Sequence, residues 1–149
     1  MRAVVQRVER ASVEVEGREH ASIGPGLLVL VGFAPADGGA EMEYIAQKIL
    51  ELRIFNDEKG VMNLSLAETG GELLLVSQFT LYGDARRGRR PSYSAAMTPA
   101  KAAQSYARFV ELCASRHGVV KSGVFGADMR VELVNSGPVT ILLDSSKAF

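Results

Sequence analysis

The sequence predicts an α+β fold with largely antiparallel sheets and helices packed on one side. Three observations lead there: strand patterns fill both ends of the chain, two helical stripes lie between them, and no βαβ unit repeats. With 149 residues, the chain is expected to form one domain over 1–149.

Val13-Glu14-Val15-Glu16 alternates apolar and charged residues, and Gly17-Arg18 offers a turn before Glu19 to Ile23. Gly24-Pro25-Gly26 is a second turn, after which Leu27 to Phe33 reads as a strand buried on both faces. After Asp37-Gly38-Gly39, residues Met42, Ile45, Ala46, Ile49 and Leu50 recur at helical spacing, with Glu41, Glu43, Gln47, Lys48 and Glu51 off the stripe. Arg53-Ile54-Phe55 followed by Asn56 to Gly60 predicts a short strand and turn, and Glu72 to Phe79 the next strand. Thr98-Pro99 is the expected start of a second helix, whose apolar stripe is Ala102, Tyr106, Phe109, Val110 and Cys113. Met129 to Val134 and Val139 to Leu143 close the chain as two strands, separated by an expected β-turn at Asn135-Ser136-Gly137-Pro138.

Composition narrows the function classes. The first ten residues break their apolar run with Arg7, Glu9 and Arg10, so no signal peptide is expected, and Leu27 to Ala34 is too short to span a bilayer. A cytoplasmic protein with no membrane partner is the expectation, and the single Cys113, unable to form an intrachain disulfide, agrees with it. The 17 basic and 17 acidic residues cancel, so any nucleic-acid contact must be local. Arg86, Arg87, Arg89 and Arg90 form the one basic cluster, for which a solvated loop is an equally good reading.

The chemistry-bearing residues are few. The only histidines, His20 and His117, sit in no ligand-spaced cluster, so no metal is expected. No Gly-x-Ser-x-Gly elbow and no phosphate-binding glycine pattern occurs, and no cofactor is expected. Two segments stand out instead. An apolar strand runs directly into Ser77-Gln78-Phe79-Thr80, and Asn135-Ser136-Gly137-Pro138-Val139-Thr140 interrupts the last strand region. A strand end and a plain turn are the ordinary readings of the two.

Those two segments resemble the signature motifs of the D-aminoacyl-tRNA deacylase (D-tyrosyl-tRNA deacylase) family. Gln6-Arg7-Val8, Ala11-Ser12-Val13, Gly26 to Leu30, Arg53-Ile54-Phe55, Met62-Asn63-Leu64, Arg90-Pro91-Ser92 and Phe125 to Met129 agree, so the resemblance covers essentially the whole chain. Ser136, where an acidic residue is common, and the tail Ser145 to Phe149 depart from the pattern. The resemblance implies a homodimeric layered sandwich of sheets and helices that hydrolyses the ester of a D-amino acid on the terminal adenosine of tRNA.

It also implies roles. Ser77, Gln78, Phe79 and Thr80 would line the catalytic pocket of one subunit, and Gly137 and Pro138 of the other would reach into it. A cis Gly137-Pro138 bond would aim backbone carbonyls at the substrate and crowd out an L side chain. Arg7 and Asn135 would support that segment. Phe125 and Met129 would hold the adenine, and the four arginines the phosphates of the acceptor end, against a plain core role for the first pair. Thr80 is a weak candidate nucleophile, since no base is tied to it by motif. The 2′-hydroxyl of the substrate's own ribose would assist water, with backbone N–H groups near Phe79 and Thr80 holding the oxyanion. Glycine, having no side chain to exclude, would be removed from mischarged glycyl-tRNA(Ala). Two alternatives stay open: a related deacylase, with a trans Gly-Pro bond, that edits a mischarged L-aminoacyl-tRNA, and a non-catalytic nucleic-acid-binding module.

Overall fold

The computed structural model describes residues 1–149. Three strands come first: β1 (Arg2–Val15), β2 (Arg18–Ile23) and β3 (Gly26–Gly32). Helix α1 (Gly39–Glu51) and the small hairpin β4 (Phe55–Asn56) and β5 (Met62–Leu64) follow, then the one-turn helix α2 (Leu66–Thr69). β6 (Glu72–Ser77), a 3-10 turn over Phe79–Tyr82, α3 (Pro99–Ala114), β7 (Val120–Ser122) and β8 (Met129–Asp144) complete the chain.

The strands form one six-stranded sheet in the order β2-β1-β3-β6-β7, with β8 also paired to β1. This is possible because β1 is long: its first half pairs with β3, its second half with β2, and β8 runs antiparallel to both. The sheet curls until β2 lies against β6 and β7, so it resembles a barrel more than the expected layers of separate sheets. The pairings β3 to β6 and β6 to β7 are parallel. Two strand-helix-strand crossovers are therefore present that the sequence pattern did not reveal. One is interrupted by the β4–β5 hairpin, and the other ends on a strand of only three residues.

Side-chain alternation divides the core between the two faces. Leu27, Val29, Val31, Leu73 and Leu75 face α1 and α3, where Met42, Ile45, Ile49, Phe109 and Cys113 meet them. Leu28, Leu74 and Val76 face into the curl against Val8, Ala11, Val13 and Ile23. β1 serves both faces by a bulge at Glu9, between the pairs Val8 to Asn135 and Arg10 to Val134. The extra residue shifts the alternation, so that Val8, Ala11 and Val13 all point into the curl.

Three local features differ from the sequence reading. Glu72 to Phe79 is not all strand: the ladder ends with Gln78 N–H donating to Val31 O (2.7 Å), and the chain then turns. The carbonyl of Gln78 can come this close only because Gly32 lies beneath it, where a Cβ would stand 2.8 Å from that oxygen. Helix α2 was not foreseen, although Ser65 and Glu68 form a capping box that the sequence displays. The third concerns Asn135 to Pro138, which is not a hairpin turn. Gln6 pairs with Thr140 and Val8 with Asn135, so β8 continues along β1 and residues 136–139 bulge out as an arch opposite Arg7 alone.

Candidate active site

The end of β6, the 3-10 turn, the start of α3 and the segment before β8 enclose a cleft of about 660 Å³. Its floor is apolar, with Val76, Ala102, Met129 and Val131, while Ser77, Gln78, Ser94 and Thr98 supply polar groups. Ser77, Gln78, Phe79, Phe125 and Met129 are brought together in its lining. At the cleft Phe79 is 57% exposed. Its ring meets that of Tyr93 edge-on at 5.1 Å. Sequence reasoning missed Tyr93, although it directly follows Arg90-Pro91-Ser92.

Tyr106, read from sequence only as part of an apolar stripe, has a second task. Its hydroxyl donates to Leu75 O (2.8 Å) and lies 3.5 Å from Gly123 O, joining β6 to the segment that carries Phe125. The Tyr106 and Phe125 rings are 6.0 Å apart. Burial pushes the Tyr106 phenol up to about 12, so it remains a donor at neutral pH.

Thr80 lies outside the cleft lining and is exposed. Its hydroxyl accepts from Gln78 Nε2 and makes no hydrogen bond to a carboxylate, imidazole or amine, so no base is placed to activate it. The N–H groups of Phe79 and Thr80 open the 3-10 turn and have no partner within it, which leaves two donors at the cleft edge. Cys113 is buried, and burial pushes its thiol up to about 12, far from a reactive thiolate. His117 is engaged with Gly71 O at 2.7 Å. No group of three or more His, Cys, Asp or Glu is placed to hold a metal ion.

The arch forms a second group. Its Gly137–Pro138 bond is cis, Gly137 has φ +119°, and both residues are exposed. Arg7 is only 9% exposed and makes no ion pair; its guanidinium donates to Ser136 O (3.1 Å), Ile54 O (2.5 Å) and Asn56 Oδ1 (3.5 Å). Arg7 is not a surface residue on an edge strand, for it lies buried on β1, between β3 and β8. A Cβ on Gly137 would stand 2.7 Å from Arg7 Nη2, so glycine is required by both contact and backbone angle. Asn135 Nδ2 donates to Gln6 Oε1 at 2.8 Å. Neither Gly137 nor Pro138 lines the cleft of its own chain.

The arginines lie on a third feature. Reciprocal backbone hydrogen bonds between Asp84 and Ser92 (2.8 and 2.9 Å) close the base of their loop. Arg86 Nε and Nη2 donate to the Asp84 carboxylate (2.9 and 2.7 Å), which holds that carboxyl well below the usual range. Arg87, Arg89 and Arg90 make no ion pair, so the four arginines are not equivalent.

Comparison with known proteins adds an independent line. Residues 4–144 match the family model described as D-Tyr-tRNA(Tyr) deacylase. The chain is 56% identical to the D-aminoacyl-tRNA deacylase of Thermosipho africanus over 149 residues, the whole of both chains. To that of Myxococcus xanthus it is 57% identical over 145 residues, covering 97% of this chain and 95% of the relative. A solved structure of the c-Myc DNA Unwinding Element Binding Protein superposes with a TM-score of 0.92 at 43% identity, covering 97% and 98% of the two chains. A probable eukaryotic D-amino acid tRNA deacylase superposes with a TM-score of 0.80 over 95% and 97%; at 19% identity the likeness is one of fold.

Proposed function

The chain belongs to the D-Tyr-tRNA(Tyr) deacylase family, a family of hydrolases acting on aminoacyl-tRNA esters, and from that premise we propose that it removes D-amino acids from tRNA in the cytoplasm, as a homodimer with composite active sites. One observation carries the composite site. The Gly137-Pro138 arch is anchored from within its own chain, yet it faces out and lines no cleft there. A second copy, related by a twofold axis, gives each arch a cleft and each cleft an arch.

In this reading the terminal adenosine lies on the apolar floor, with Phe125 and Met129 against the base and Phe79 at the cleft edge. Ser77 and Gln78 line the ester, and the N–H groups of Phe79 and Thr80 face its carbonyl oxygen. Water, activated by the 2′-hydroxyl of the substrate's own ribose, adds to the carbonyl carbon. The oxyanion is held by the two N–H donors, each worth about a hundredfold in rate or more. The bond from carbon to the ribose oxygen then breaks, and a proton passes to that leaving oxygen. The chain supplies position and backbone dipoles, which agrees with the lack of a base beside Thr80.

The partner's arch screens the α-carbon. Backbone at Gly137 and Pro138 fills the space that an L side chain needs, while a D side chain points away from it. Glycine passes the screen, so glycyl-tRNA(Ala) is also a substrate. Arg87, Arg89 and Arg90 face the phosphates of the acceptor end.

Mixed dimers test the composite site. One subunit carries Gly137→Ala, the other a cleft blocked by Ala127→Trp, and each homodimer keeps only about a hundredth of the wild-type rate. Purified mixed dimers regain about half the wild-type rate, from one intact site of two; mixed dimers without activity would place the whole site in one chain. The similarity to a protein named for binding a DNA unwinding element favours one second reading, a nucleic-acid-binding module that uses the arginine loop. Tight binding of DNA or RNA without turnover of any aminoacyl ester would establish it.

A further inference from the structure

An arch of four residues opposite a single partner residue has lost its ladder hydrogen bonds, so something else must define where its two feet stand. The feet are Asn135 and Thr140, the last β8 residues paired with β1 on either side of the arch. Both carry side-chain donors, and both donate to one atom: Asn135 Nδ2 to Gln6 Oε1 at 2.8 Å and Thr140 Oγ1 to the same oxygen at 3.1 Å. An amide carbonyl has two lone pairs, and these two bonds occupy both. Gln6 is also the strand neighbour of Arg7, and successive strand residues point to opposite faces. The arch is thus gripped from both faces of β1: Arg7 holds the Ser136 carbonyl, and Gln6 clasps the two feet together.

We propose that Gln6 is a positioning residue for chiral discrimination, acting through Asn135 and Thr140 to fix the feet of the Gly137-Pro138 arch. This rests on the reading of that arch as the screen against L side chains. Gln6 touches no substrate. Its carbonyl oxygen sets the width of the arch at its base, and thereby the distance that the arch carbonyls reach. Rejection of an L side chain depends on crowding over tenths of an ångström, whereas a D side chain points away from the arch and tolerates a small shift of its feet. Loosening the feet therefore admits the wrong substrate before it disables the right one. The clasp also accounts for the residue types at both feet, since each must bring a donor to one shared acceptor.

The test compares hydrolysis of D- and L-tyrosyl-tRNA, as the ratio of kcat/KM, with the melting temperature of each variant. Gln6→Met keeps the length of the side chain and removes the acceptor. Its D-to-L ratio falls about tenfold, chiefly through a faster L reaction, the scale of one to two lost hydrogen bonds. Gln6→Glu keeps an acceptor for both feet and stays within about threefold of wild type. Thr140→Val removes one donor without changing shape and falls between the two; it decides the matter if Gln6→Met does not fold. Gly137→Ala is the control. If it lowers the ratio while Gln6→Met and Thr140→Val leave it unchanged, with any loss shared equally by both substrates, Gln6 is structural only and the inference is wrong. If Gly137→Ala leaves the ratio unchanged, the arch is not the screen, and the inference fails with it.

Discussion

Replacing Gly137 by alanine perturbs the arch at the point where the chain leaves least room. At φ +119° a residue with a Cβ is strained by about 1–3 kcal/mol. The new methyl would also stand 2.7 Å from Arg7 Nη2 and 3.0 Å from Val139 Cγ2. A free arginine would swing aside, but this one is buried and bonded to Ser136 O, Ile54 O and Asn56 Oδ1. Giving up one of those bonds costs about 1.5–3 kcal/mol, as for other hydrogen bonds to a charged group. The exposed arch escapes part of this by moving outward, so a net loss of about 2 kcal/mol is expected, a fall in Tm of roughly 4–8 °C for a chain of this size. Outward movement by a fraction of an ångström also misplaces the backbone that faces the ester, for which a loss of about a hundredfold in the D-aminoacyl-tRNA rate is expected. Calorimetry and single-turnover release from D-tyrosyl-tRNA measure the two effects separately. A D-ester rate within about threefold of wild type, less than 1 kcal/mol of barrier, together with an unchanged D-to-L ratio, would refute the role of the arch whatever the melting temperature did.

Three further outcomes follow from the cleft and the loop. No carboxyl, imidazole, amine or thiol lines the cleft, so the rate of deacylation has no bell-shaped limb between pH 5 and 8; a limb in that window, absent from the uncatalysed reaction, would reveal a protein acid or base. Thr80→Val retains the rate within about tenfold, because no base activates the hydroxyl; a loss of roughly 10⁴ or more, or an acyl-enzyme burst, would make Thr80 a nucleophile. Alanine at Arg87, Arg89 and Arg90 together flattens the salt dependence of tRNA binding by about two in the log–log slope, near 0.7 for each phosphate lost on a single strand. Arg86→Ala leaves that slope almost unchanged, since Arg86 is engaged with Asp84; titration of KM or Kd against salt distinguishes the two.

Both long helices were legible in the sequence because each buries one stripe: Met42, Ile45, Ala46, Ile49 and Leu50 in α1, and Ala102, Tyr106, Phe109 and Cys113 in α3. The full length of β1 was not, because the bulge at Glu9 breaks the alternation that a strand displays. The parallel crossovers were hidden for a different reason. Val120 to Ser122 is too short to give a period, and its partner strand is chosen by tertiary packing. For the cleft, motif resemblance located Ser77, Gln78, Phe79, Phe125 and Met129, while Tyr93 and the second task of Tyr106 depend on contacts that no local pattern encodes. Asn135 to Pro138 has the composition of a turn. Only the register with β1, on both sides of Arg7, makes it an arch, and only that register brings Gln6 under both feet. The arginine cluster was plain as a charge pattern, but the pairing of Arg86 with Asp84 divides it in a way the sequence does not display.

In the proposed function this chain hydrolyses the D ester and rejects the L ester with its own backbone. The most direct test is the release of amino acid from matched D- and L-tyrosyl-tRNA by purified protein in the presence of a metal chelator. Rapid release from the D ester alone, undiminished by the chelator, is the predicted result. Equal release from both esters, or release from neither by a folded dimer, would contradict it.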